Sequence, residues 1–359
     1  MFAIFATLFG SATSLGLGAL QIRSGLEIVG GIGPLGNAAL VGVIGVLTAG
    51  FVLSAVSGIA KGIQWLSNIN MVLALVLALF LFVVGPTVFI LNLVPTSIGS
   101  YVQDLAMMGA RTGAEGDQTQ EWLGTWTIFY WAWWLSWTPF VGMFIARISR
   151  GRTIRQFVAG VLFVPSVVSL IWFCILGGTA IDLQDGGTDI AGAGGLEAQL
   201  FETLDAFPLA TVASILVMVL VAIFFVSGAD AASIVMGSLS ERGTTEPTRP
   251  MVVFWGVATG AVAAVMLLVG GAEALTGLQT ITIVAALPFA VIMIGLVVSL
   301  MRDLRSDPMV VRRRYAVNAV EQAVIAGVTE HGDDFALSVE PRADDDPDGP
   351  ERPRADGRP

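Results

Sequence analysis

Tyr130-Trp131-Ala132-Trp133-Trp134-Leu135-Ser136-Trp137-Thr138-Pro139-Phe140 occupies the middle of one long apolar segment. Four tryptophans fall within seven residues. Those at 133, 134 and 137 are separated by helical spacings of one, three and four, with Tyr130 one turn earlier. Side chains at i, i+3 and i+4 share a face, so these rings form one aromatic stripe on a helix, and Trp131 points away from it. Such a wall suits a cation that cannot donate hydrogen bonds, because a quaternary ammonium is held by the negative faces of aromatic rings at ~1–2 kcal/mol per ring when dry. The same stripe also suits a helix-packing face or a tryptophan belt at the lipid headgroups. By itself it leaves both readings open.

The rest of the chain favours a membrane. Hydrophobic residues make up 55% of the 359 positions and charged residues only 13%, against about a quarter charged in soluble domains. The formal charge of −10 says little about partners, because many acids sit in one tail (Asp333, Asp334, Glu340, Asp344, Asp345, Asp346, Asp348, Glu351) and one loop (Asp182, Asp185, Asp189, Glu197). The single cysteine, Cys174, rules out a disulfide within the chain, and the single histidine, His331, lies in the polar tail. Metal sites and histidine-based catalysis are therefore not expected, nor any cofactor. Gly30-Gly31-Ile32-Gly33-Pro34 lacks the following lysine and the strand-to-helix context of a phosphate loop, so no nucleotide or nucleic-acid partner is expected.

Apolar segments long enough to span, roughly 20 residues each, recur through residue 302. The pattern predicts eight: 2–21, 38–60, 70–94, 122–147, 155–179, 208–237, 250–271 and 276–301. The first has no basic residue before Arg23, so it reads as a span and not as a signal peptide. Together they form a transmembrane domain over residues 1–305, followed by a largely disordered acidic tail over 306–359. Within the loop between the third and fourth spans, Ser97 to Gly109 reads as a short helix on the outer face. Loops after the second, fourth, sixth and eighth spans carry Lys61; Arg147, Arg150, Arg152 and Arg155; Arg242 and Arg249; and Arg302, Arg305 and Arg312 to Arg314. The alternate loops hold only Arg23 and Arg111, which makes the arginine-bearing side, and both chain ends, cytoplasmic.

The run from Gly124 to Arg155, GTWTIFYWAWWLSWTPFVGMFIARISRGRTIR, closely resembles the signature helix of the betaine/carnitine/choline transporter family. ATLFGSATSLGLGALQI near the start is similar to that family's fifth span, and SGIAKGIQWLSNINMVLAL to the loop before its seventh. The resemblance covers nearly all of residues 1–305. It implies an all-α, leucine-transporter-like inverted-repeat bundle that begins at the fifth of twelve helices. Either the start codon is misassigned or the gene is a truncated remnant. The resemblance also implies homotrimers in the bilayer.

On that resemblance Trp134 is the ring of the substrate box, with Trp133 and Trp137 beside it and Tyr130 one turn away. The family's partner aromatics belong to the helices that the resemblance places before this chain. Thr7 and Ser11, one turn apart, match with Phe140 the positions of one sodium site. A second would lie in FFVSGADAAS, at Phe224 and Ser227, where the family's Thr-Ser pair is here Ser227-Gly228. Glycine at 228 deletes one hydroxyl ligand. Hydroxyls inside spans also bond their own backbone or a neighbouring helix. Pro139 either loosens its helix near the site or is a tolerated kink, and Asp230 is either a functional ionisable group or a helix-packing one.

The expected function is secondary active transport of a quaternary ammonium compatible solute (glycine betaine, choline or carnitine) by alternating access, with coupling to Na⁺, to H⁺ or to solute exchange left open and Na⁺ the ion that the hydroxyl pairs would suit. The alternative is a non-transporting truncated remnant of such a transporter. A second rival, a membrane-embedded enzyme acting on lipid headgroups, is not expected, since no span carries the paired carboxylates or nucleophile–base set that hydrolysis requires.

Overall fold

A computed structural model describes residues 1–57, 60–244, 246–270 and 274–338. Every regular element among them is helical. Two compact units are distinguished, Met1–Ile292 and Met293–Pro359. The first contains α1 (Phe2–Gly30), α2 (Asn37–Ser57), α3 (Ala60–Val84), α4 (Thr87–Ala110), α5 (Asp117–Trp122), α6 (Phe129–Ile148), α7 (Ile154–Asp185), α8 (Leu196–Asp205), α9 (Ala210–Ser240), α10 (Arg249–Gly270) and most of α11 (Ala274–Ser306). A π-helical stretch, Leu123–Ile128, joins α5 to α6 without a break in the helical backbone. An all-helical solution suits a bilayer, because each helix satisfies its own backbone groups where water cannot.

The first helix is the hub. It packs against α9, α6, α10, α2 and α8, and 56% of its most apolar stretch is buried, against 11% for α3. Leu15, Ala19, Ile44, Phe225, Leu267 and Leu278 form the core around it. Without a hydrophobic drive between helices in lipid, small residues set how closely they approach. At Gly10 an added Cβ would fall on the Ser136 side chain, and at Gly256 on the Phe51 ring, so α1–α6 and α10–α2 cross where only glycine fits.

Buried polar pairs fix the crossings. Thr13 Oγ1 on α1 donates to the Leu278 carbonyl at 3.0 Å and meets Thr282 Oγ1 at 2.6 Å. Asp230, 1% exposed, accepts from Ser54 Oγ at 2.8 Å. That bond ties α9 to α2.

Several expected boundaries move. The segment expected to span 70–94 breaks at Gly85–Pro86, because proline has no N–H to donate and disfavours a helical residue before it. Thr87 Oγ1 donates to the Phe82 carbonyl across the break at 2.6 Å. Beyond the break the chain forms the 24-residue α4, in place of a loop with a short helix over 97–109. Span one continues to Gly30, where Gly31 closes it with a left-handed φ of 59°. Span five continues to Asp185. Among the described residues seven helices are long and apolar enough to cross a membrane. The tryptophan helix is not one of them, since its indoles, hydroxyls and tyrosine temper its apolarity.

The second unit corrects the disordered tail. α12 (Pro308–His331) occupies most of the polar segment before residue 339, and the Phe335 ring lies against Gly327. The acid-rich end from 339 onward is outside the described residues.

Candidate functional site

Helical spacing on α6 turns the aromatic stripe into a continuous ladder. Trp126 stacks on Tyr130 with centroids 5.8 Å apart, Tyr130 meets Trp133 edge-on at 5.8 Å, Trp133 meets Trp137 at 5.4 Å, and Trp137 meets Phe140 at 5.8 Å. Phe129 stacks on Trp133 from the side at 5.7 Å. Edge-to-face pairs of this kind hold each ring's orientation, at about 0.5–1.5 kcal/mol per pair beyond burial. Trp134 joins the ladder only through Trp137, at 6.3 Å. It is 61% exposed, which leaves a ring face free. Trp131 is more exposed still and has no ring partner among the described residues.

Pro139 sits within this helix without breaking it. Its missing N–H frees the carbonyl of Leu135, four residues back, and Thr138 Oγ1 donates to that carbonyl at 2.7 Å. The tolerated-kink reading of Pro139 is therefore built into its neighbour.

The ladder connects two cavities. The first, about 150 Å³, is lined by Ser11 and Ser14 of α1, Trp137, Phe140 and Val141 of α6, Phe224, Phe225, Gly228 and Ala229 of α9, and Thr259 of α10. A cavity of that size admits a benzene-sized molecule, and four aromatic side chains stand in its wall. The second, about 190 Å³, is lined by Leu17 and Gln21 of α1, Thr125, Trp126, Phe129 and Tyr130, Leu196 and Glu197 of α8, and Gln279 of α11. Trp133 lines neither and stands between them, touching Phe129 and Tyr130 on one side and Trp137 on the other.

The expected site residues are thus partly gathered. Trp137, Ser11, Phe140 and Phe224 converge on the first cavity and Tyr130 on the second. Thr7 is fully buried one turn from Ser11, and its hydroxyl has no hydrogen-bond partner among the described residues. Trp137 Nε1 is likewise buried and unpartnered. Ser227 does not line the cavity; its hydroxyl turns back to the Phe224 carbonyl at 3.1 Å, and Gly228 faces the space instead. Ser14, Phe225 and Thr259 were not foreseen. Ser14 could have been, since it continues the Thr7–Ser11 face at the next helical step.

A multi-pass helical membrane protein whose longest aromatic run joins two cavities is the class that fold and site define. A model of the betaine/carnitine/choline family transporter (BCCT) matches residues 1–309, and the chain belongs to that family, one of transporters and not of enzymes. The chain is similar to the betaine/ectoine transporter LcoP of Corynebacterium glutamicum, 46% identical over 342 residues, which are 95% of this chain and 54% of that protein. The glycine betaine transporter OpuD of Bacillus subtilis is 47% identical over 305 residues, 85% of this chain and 59% of that protein. Glycine betaine transporter 1 of Vibrio parahaemolyticus is 41% identical over 308 residues, 85% of this chain and 58% of that protein. The chain therefore spans little more than half the length of these relatives.

Proposed function

We propose that this protein carries a quaternary ammonium compatible solute across the cell membrane by alternating access, the solute passing along the aromatic ladder between the two cavities. The names of its relatives favour glycine betaine within that class. The observation that carries the proposal is the ladder from Trp126 to Phe140 with a cavity at each end. Ring faces attract the methylated ammonium without asking it for a hydrogen bond. The unpartnered Trp137 indole N–H supplies a donor for the solute's carboxylate, since a buried donor left unbonded costs ~1–3 kcal/mol.

Thr7, Ser11 and Phe140 supply the coupling Na⁺ site, the orphaned Thr7 hydroxyl being an oxygen of the type this hard cation takes. Ser227, with its hydroxyl engaged by its own helix, contributes less than Ser11. The seven apolar helices and the tryptophan helix make eight crossings, with the arginine-bearing loops and both ends in the cytoplasm. The two lone arginines of the opposite side are engaged locally: Arg23 pairs with Glu27 at 3.3 Å, and Arg111 lies over the Trp122 ring at 5.7 Å.

The test separates charge from shape. Purified protein is titrated with glycine betaine and with 3,3-dimethylbutyrate, which replaces the ammonium nitrogen by carbon, and binding is read from the change in tryptophan fluorescence. Betaine is expected to bind at least about tenfold more tightly, the value of roughly 1.4 kcal/mol of cation–π attraction. Equal affinity would reduce the ladder to a hydrophobic wall.

A further inference from the structure

Trp133 Nε1 donates to Ser14 Oγ at 3.0 Å, and Ser14 Oγ in turn donates to the Gly10 carbonyl at 2.9 Å. The serine proton is committed to its own helix, so the oxygen faces Trp133 only as an acceptor. The crossing itself is tight, because Gly10 of α1 lies against Ser136 of α6, three residues beyond Trp133. The backbones are thus fixed relative to each other, and what remains free at Trp133 is the rotation of its ring.

We infer that Ser14 is a positioning residue that holds the Trp133 indole as the partition between the two cavities. Ser14 lines the first cavity while Leu17 and Gln21, further along the same helix, line the second. The ring touches the walls of both and belongs to neither. Its stacking on Phe129 and its edge contacts with Tyr130 and Trp137 need one ring plane, and the indole hydrogen bond is the directional contact that selects it. Without that bond the ring can turn about its side-chain torsions, the two spaces are no longer separated by a fixed wall, and the face offered to a solute is lost part of the time. The solute's role in this inference rests on the transport reading above; the hydrogen bond does not.

Two arms of one experiment keep them apart. In the first, protein labelled with ¹⁵N at the indole nitrogen gives up to nine cross-peaks, one for each tryptophan, and Trp133 is assigned by its disappearance in Trp133→Phe. Ser14→Ala is expected to move that peak upfield and speed its hydrogen exchange, while Ser14→Thr, which keeps the hydroxyl, restores it; the other eight peaks report that the fold is intact. In the second arm, Ser14→Ala is expected to raise KM for glycine betaine roughly 3- to 10-fold, as the loss of one hydrogen bond implies, with Vmax changed less than about twofold. Ser14→Thr is expected to recover the wild-type KM, and Ser14→Ala with Trp133→Phe to be no worse than the more affected single variant. An unmoved peak in Ser14→Ala overturns the bond, and a moved peak with unchanged KM overturns its role in positioning. Wild-type protein that neither binds nor moves the solute overturns the transport reading, and the partition role with it, whatever the spectra show.

Discussion

Trp134→Ala is expected to lower the initial rate of glycine betaine uptake about thirtyfold or more at low solute, whereas Trp131→Ala leaves it within about twofold. Trp134 keeps a free ring face while touching the ladder through Trp137. The bound solute covers that exposed face, and a cation–π contact so desolvated is worth about 2 kcal/mol, which is that factor in kcat/KM. Trp131 is one of the most exposed rings of the helix and has no ring contact among the described residues. Both substitutions remove a largely exposed indole from the same helix, so losses of insertion are comparable, and Trp134→Ala loses in addition only the contact with Trp137. Equal loss in the two variants would assign the stripe to packing and not to the solute.

The second large effect belongs to the first cavity. Gly228 lines it, and an added Cβ there would meet nothing within 4 Å. Gly228→Leu therefore fills the cavity without overpacking α9, and solute binding is expected to weaken at least about tenfold while thermal unfolding in detergent stays within a few degrees of wild type. Gly228→Ala, which adds one methyl to open space, is expected to stay near wild type in both. A parallel loss of stability and binding in Gly228→Leu would mean that the space is needed by the helices and not by a ligand. Gly228→Ser restores the hydroxyl that the family's Thr-Ser pair carries at this position, and the Na⁺ concentration for half-maximal uptake is expected to fall.

The aromatic ladder was legible because helical periodicity alone puts residues 130, 133, 137 and 140 on one face. The shape of the space beside it was not. α9 and α10 are apolar nearly all round, so no periodic signal says that Phe225 or Thr259 turns inward, and only the packing of α1 against them decides it. The break at Gly85–Pro86 carries one of the clearest local signals for a helix end, yet an apolar run on both sides of it masks that signal when hydropathy is followed alone. The helix over 308–331 escaped for the opposite reason. Its arginines and scattered valines give no amphipathic stripe, while its alanines, arginines and glutamates still support a helix. Ser14 was within reach of spacing arguments, but its partner Trp133 is 119 residues away, and that pairing comes only from the α1–α6 crossing.

Uptake of radiolabelled glycine betaine, with and without Na⁺, by cells that lack their own osmolyte transporters and express this chain is the experiment to perform first. Saturable uptake that rises with Na⁺ and disappears in Trp134→Ala is the expected result. Protein that reaches the membrane in full amount and takes up no solute at any Na⁺ concentration would contradict it, leaving the ladder and its two cavities without a transported ligand.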